Sequence, residues 1–184
     1  MYATQELRNE HEGIRVALAV LERMADSTER GVAPDLNDAD RILEFLQTFA
    51  DKCHHGKEED LLFPAMERAG VPREHGPIGV MLTDHEHGRE HIKAMVQALA
   101  GLRSGDSDAP AAFAAAARGY VQVLSNHINK ENNVLFVMAE QNLPPEEHAR
   151  LAEGFEKIEQ ERIGPGVHES YHALLEELSA KYLD

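Results

Sequence analysis

Apolar residues along the 184-residue chain recur at three- and four-residue steps, and no stretch alternates apolar with polar positions as a half-buried strand does. The spacing predicts a first helix over 4–29, where Ile14, Leu18, Leu21 and Ala25 continue a stripe that begins at His11, and Gly31 with Pro34 closes the segment. A second helix starts near Asp35 or Asn37, carries Ile42, Leu43, Phe45, Leu46, Phe49 and Ala50, and runs through His54 to Arg68, with Pro64 placed to kink it. After Gly76-Pro77 comes a third, with the stripe Met81, His85, Gly88, Ile92, Met95, Leu99 and Leu102, ended by Ser104-Gly105-Asp106. Asp108 is placed to cap a fourth helix with Pro110 in its first turn and the apolar positions Phe113, Tyr120, Leu124, Val134 and Leu135. It stops near Pro144-Pro145, and residues 145–182 read as two shorter helices broken at Gly164-Pro165-Gly166. The expected fold is all-α: an antiparallel up-down four-helix bundle over 1–143, with a C-terminal helical extension over 144–184 packed on it.

Composition narrows the class. Apolar residues make up 42% of the chain, which excludes wholesale disorder, and a mean hydropathy of −0.44 without a long apolar run argues against a membrane span. The net charge of −15, with no block of Lys and Arg, argues against nucleic-acid or anionic-membrane partners. A single cysteine, Cys53, forms no intrachain disulfide and reads as a small buried apolar residue, with a redox-sensitive thiol as the sharper alternative. The first residues lack the apolar region of a secretory signal, and the expected location is the cytoplasm. Solubility explains the acids but not the eleven histidines.

On a helix, His-x-x-x-Glu places an imidazole and a carboxylate on one face. The chain holds this spacing at His54/Glu58, His55/Glu59, His127/Glu131 and His172/Glu176, against about one or two expected by chance. An internal repeat separates them. Residues 54–63, HHGKEEDLLF, superimpose without a gap on 127–136, HINKENNVLF, so that His, Lys, Glu, Leu and Phe recur at the same offsets. His54 and Glu58 thus have counterparts in His127 and Glu131, whereas His55 and Glu59 face Ile128 and Asn132. The repeat assigns His55 a place behind the ligands or on the surface, with a ligand role as the alternative, and leaves Lys57 and Lys130 as surface partners of nearby acids.

His11 and His85 lie on the core stripes of the first and third helices, so each of four helices sends at least one imidazole inward. A lone histidine on an apolar face is ordinarily a hydrogen-bonded core residue. Four at similar depth with two carboxylates point instead to a cation, because an unpaired buried charge costs several kcal/mol. Imidazole and carboxylate without thiolate suit iron, manganese or zinc better than copper(I), calcium or magnesium. Two carboxylates on facing helices allow a dinuclear centre, and a single zinc site would leave two of the six candidates idle.

At these residues the chain resembles the hemerythrin-like (HHE cation-binding) domains, four-helix bundles with a non-haem di-iron centre. The words HHGKEEDLLFPAM, GPIGVMLTDHEHGR and NHINKENNVLF are similar to the branch that includes iron-sulfur-cluster repair and stress-response proteins, and the resemblance spans residues 5–141. It implies His11, His54, Glu58, His85, His127 and Glu131 as metal ligands. The implied cofactor is two iron ions bridged by Glu58, Glu131 and an oxo or hydroxo group. The implied partners are a small diatomic ligand or peroxide, in oxygen binding, detoxification or iron handling. Oxygen carriers of the family have His-x-x-x-His on the third helix, but four residues beyond His85 stands Arg89. His55, His87, His91 and His168 are the candidates for a further ligand. Competing readings are a di-iron oxidase or peroxidase and a purely structural metal. The C-terminal segment, with Phe155, Ile158, Tyr171 and Leu174, either packs on the bundle as a helical hairpin or forms a homodimer surface or a lid over the site.

Overall fold

The computed structural model describes residues 2–164 and 166–183. Helix α1 spans Thr4–Glu29, and α2 (Leu36–Phe45) runs on without a break through a π-helical stretch, Leu46–His55, and a second, Glu58–Leu62, into α3 (Phe63–Arg68). Then come α4 (Pro77–Ser104) and α5 (Ala109–Lys130), which continues through the π-helical stretch Glu131–Leu135 into α6 (Phe136–Asn142). Helices α7 (Pro145–Arg162) and α8 (Val167–Tyr182) complete the chain, and no strand occurs among the described residues.

The helix ends follow from local chemistry. The Asp35 side chain accepts from the backbone N–H groups of Asn37 and Asp38, fixing the start of α2. Gly105, at φ 79°, turns the chain out of α4 in a left-handed conformation that a side chain would strain. Asp108 departs from expectation: its side chain caps nothing, and its own N–H donates to Asp106 Oδ1 at 3.0 Å. Of the break at Gly164-Pro165-Gly166, Pro165 lies outside the described residues, while Gly164 and Gly166 both have positive φ.

From its glutamate onward the internal repeat folds the same way twice. Each copy leaves the α geometry at its glutamate, and the N–H groups of Phe63 and Phe136 reach back five residues to the carbonyls of Glu58 and Glu131. Position 137, the counterpart of Pro64, is valine, so proline is not what widens the turn. The expected interruption at Pro64 therefore belongs to a π turn that both copies share, a feature frequent at functional sites. The inserted residue also explains why Val134, expected on the core stripe, is 51% exposed while Leu135 and Phe136 are buried.

Helix α5 packs along both α1 and α4, α8 lies on α1 and α2, and α7 touches the two π-helical stretches of the second rod. Two apolar clusters result. One gathers Ile14, Leu21, Phe45, Ile92, Leu124 and Ile128 and takes in Tyr171, Leu174 and Leu178 of α8. The other gathers Leu7, Leu62, Phe63, Met81, Leu135 and Phe136 with Phe155 of α7. Along α1, the second rod, α4 and the α5–α6 rod, the chain passes from one cluster to the other through His11, His54–Glu58, His85 and His127–Glu131 respectively. A polar layer is thus sealed between two hydrophobic ones.

Candidate metal centre

All six sequence-derived candidates are buried, none more than 1% exposed. Glu131 Oε2 lies 3.1 Å from His11 Nε2 and 3.2 Å from His127 Nε2. Glu58 reaches the other pair, with Oε1 3.6 Å from His54 Nε2 and Oε2 3.4 Å from His85 Nε2. His85 Nε2 and His127 Nε2 face each other at 3.2 Å.

The donor atoms fall into two groups, each compact enough for one ion: His11, His54, Glu58 and Glu131, and His55, Glu58, His85 and His127. Glu58 belongs to both. His55 is the departure from the sequence reading. It is 3% exposed and stacks on His85 with ring centroids 3.9 Å apart, so it is not on the surface, and its donor atom groups with those of Glu58, His85 and His127, in line with the ligand alternative. The repeat misplaced it because its register was transferred from an α-helical segment. His55 ends a ten-residue π-helical stretch, whose i→i+5 bonds widen the turn and bring neighbouring residues closer to one face. The other three candidates stay away from the cluster. His87 is exposed, His91 covers Gly119, where a Cβ would lie 2.2 Å from its Cε1, and His168 pairs with Glu159 at 3.0 Å.

Behind the cluster, each imidazole is held through Nδ1. His54 pairs with Glu10 at 2.6 Å, His85 with Glu59 at 2.7 Å and His11 with Asn132 at 2.9 Å, while His55 and His127 approach Asp51 and Asp84 at 3.4 Å each. Such partners fix the ring orientation and raise the basicity of the nitrogen that faces inward. Phe136 stacks on His11 and Phe63 on His85, closing the layer with the two aromatic residues of the repeat. Apart from Glu59, which stands four residues after His55, these outer partners lie off the His-x-x-x-Glu spacing.

Lys57 also corrects its assignment as a surface residue. It is 0% exposed, and its ammonium sits among Glu10, Glu6 at 2.6 Å and Glu159 at 3.2 Å. Its repeat counterpart Lys130 is near the surface and pairs with Asp84. Burial pushes the Cys53 thiol up to about 12, so it stays protonated, as a small core residue does.

Burial, with Glu131 close by, drives the Glu58 carboxyl well above its ordinary range. Burial acts on Glu131 too, but His127 and His11 outweigh it and hold that carboxyl well below its usual value. His127 resists burial because of Glu131 and Asp84 and is raised to about 9, whereas burial depresses His54 and His85 well below 6.5. Both carboxylate oxygens of Glu58 and of Glu131, and the Nε2 atoms of His11 and His54, are buried without a hydrogen-bond partner. Orphaned acceptors of this kind are what a cation satisfies. The residues present therefore fit a metal.

The sequence model of the hemerythrin HHE cation-binding domain matches residues 2–139. The chain belongs to the hemerythrin HHE cation-binding domain family. Among curated relatives, the uncharacterized proteins Rv1995 of Mycobacterium tuberculosis H37Rv and Mb2018 of Mycobacterium bovis are each 26% identical over 165 residues. The alignment covers 88% of this chain and 63% of theirs, so this hemerythrin-family chain spans about three-fifths of the relatives it matches. No solved structure matches it significantly. Among the described residues, no helix is long and apolar enough to cross a membrane.

Proposed function

We propose that this hemerythrin-family protein is a non-haem di-iron protein. His11 and His54 would hold one ion and His55, His85 and His127 the other, with Glu58 and Glu131 as the carboxylates that would serve them. The observation that carries the reading is the membership of Glu58 in both donor groups. Five imidazoles and two carboxylates without thiolate suit iron, manganese or zinc, and family membership favours iron. When bound, two irons supply redox equivalents and coordination positions for oxygen, peroxide or nitric oxide.

The chain's own residues make that chemistry workable. Glu10, Glu59 and Asn132 orient the imidazoles of His54, His85 and His11, and the two apolar clusters exclude bulk water from the donors. His127 and Glu58 hold protons that leave when a cation takes their place. The scaffold we infer is an antiparallel up-down four-helix bundle over 1–143, with 144–184 as a packed extension. Burial of Phe155, Tyr171 and Leu178 supports that division.

Metal analysis and a visible absorption spectrum of aerobically purified protein test the proposal. About two irons per chain with visible charge-transfer absorption are expected. Finding no iron, or one colourless zinc, would overturn it.

A further inference from the structure

Between the π-helical stretch Leu46–His55 and α4 lies a cavity of about 580 Å³ whose walls include His55 and His85. His55 and His85, 3% and 1% exposed, form its inner wall, so it lies beside one donor group. One water occupies about 30 Å³ in the liquid, so dioxygen, peroxide or nitric oxide would fill a small part of this space. Its size falls among sites that hold organic molecules.

The chemistry of the walls is specific. In a chain of net charge −15, the charged residues lining this cavity are Lys52, Arg89, Lys93 and a single acid, Asp51. Arg89 is engaged by Asp51 at 2.9 Å and Glu59 at 2.8 Å, which leaves the two exposed lysines on facing elements. Ile92, Val96 and the ring of Tyr120 supply the apolar part of the wall, and Gln47 and Gln97 a neutral polar part. The ring itself is buried, 2% exposed, beneath Gly88, where a Cβ would stand 3.1 Å from Leu124 Cδ2 and 3.6 Å from Tyr120 Cε2. Burial keeps the Tyr120 hydroxyl a phenol, able to donate, and it takes no part in the bonds joining Asp51, Arg89 and Glu59.

We propose that this cavity binds a small organic monocarboxylate. Its carboxylate lies at Lys52 and Lys93, its apolar chain lies against Ile92, Val96 and Tyr120, and its far end is directed at His55 and His85. The assignment rests on the di-iron reading only for why a molecule should be brought there. Binding itself depends on the cavity.

Hexanoate is a suitable probe, titrated calorimetrically into the iron-loaded protein and into the same protein after chelation. One hexanoate per chain is expected in both, with a perturbed visible spectrum in the loaded sample and no binding of hexylamine. Lys93→Glu and Val96→Glu alter exposed residues, so both variants should fold, and each should weaken hexanoate about tenfold or more. Absence of saturable binding, or binding untouched by both variants, would overturn the proposal. Hexanoate binding to a protein that holds no iron would sink the di-iron reading and uphold the cavity. Two irons without hexanoate binding would do the reverse.

Discussion

Glu10 Oε2 lies 2.6 Å from His54 Nδ1, a contact buried on both sides that joins α1 to the second helical rod. The carboxylate fixes which His54 nitrogen faces the centre, although neither residue's spacing in the sequence points to the other. Glu10→Gln keeps the shape and removes the charge. Metal affinity should fall about 10–100-fold without loss of the fold, as measured by competition with a chelator. Unchanged affinity would show that Glu10 serves Lys57 alone.

The ligand assignment separates neighbouring residues. Glu58→Ala and Glu131→Ala should each lose at least one metal. Glu59→Ala should keep both with weaker affinity, because Glu59 orients His85 rather than facing the donor groups. His55→Ala should lose an ion, while His87→Ala and His91→Ala should lose none. Metal content per chain decides the matter, and equal loss in all six variants would overturn the assignment.

Much of this was legible in the sequence. Apolar spacing located the helix ends because each long helix buries a stripe, and the HHGKEEDLLF/HINKENNVLF repeat picked out His54, Glu58, His127 and Glu131, since two copies of one local structure must share register. The same assumption hid His55. Its counterpart Ile128 lies in α5, whereas His55 ends a π-helical stretch, and no residue in the repeat announces the ten-residue widening before it. Lys57 was misread because lysine is almost never fully buried unless paired. Its partners Glu6, Glu10 and Glu159 lie as far as 102 residues away, brought together only by the packing of α1 and α7 around the second rod.

Protonation gives a third test. In the metal-free protein His127 is held protonated up to about 9, and Glu58 is held protonated well above the ordinary carboxyl range. His54 and His85, depressed by burial, carry no extra proton near neutrality. Ions that take the ligand atoms of His127 and Glu58 must displace both protons. Loading iron at about pH 7.5 should release at least the His127 proton, and affinity should rise with pH until His127 deprotonates unaided. Calorimetry in two buffers of different ionisation enthalpy gives the number, and a value near zero would refute this charge arrangement.

Lys57 ties the C-terminal helices to the centre, because its ammonium joins Glu159 of α7 to Glu10, which holds His54. Removing one member of a buried ion cluster strands the charges that remain, at a cost of about 3–5 kcal/mol. Lys57→Met should therefore lower the melting temperature by roughly 6–20 °C, taking 2–4 °C for each kcal/mol in a chain of this size. The buried Glu10 is the charge left most exposed to that penalty, so adding Glu10→Gln to Lys57→Met should recover part of the loss. A double variant no more stable than the Lys57→Met single would show that packing of the lysine stem, rather than its charge, holds α7 in place.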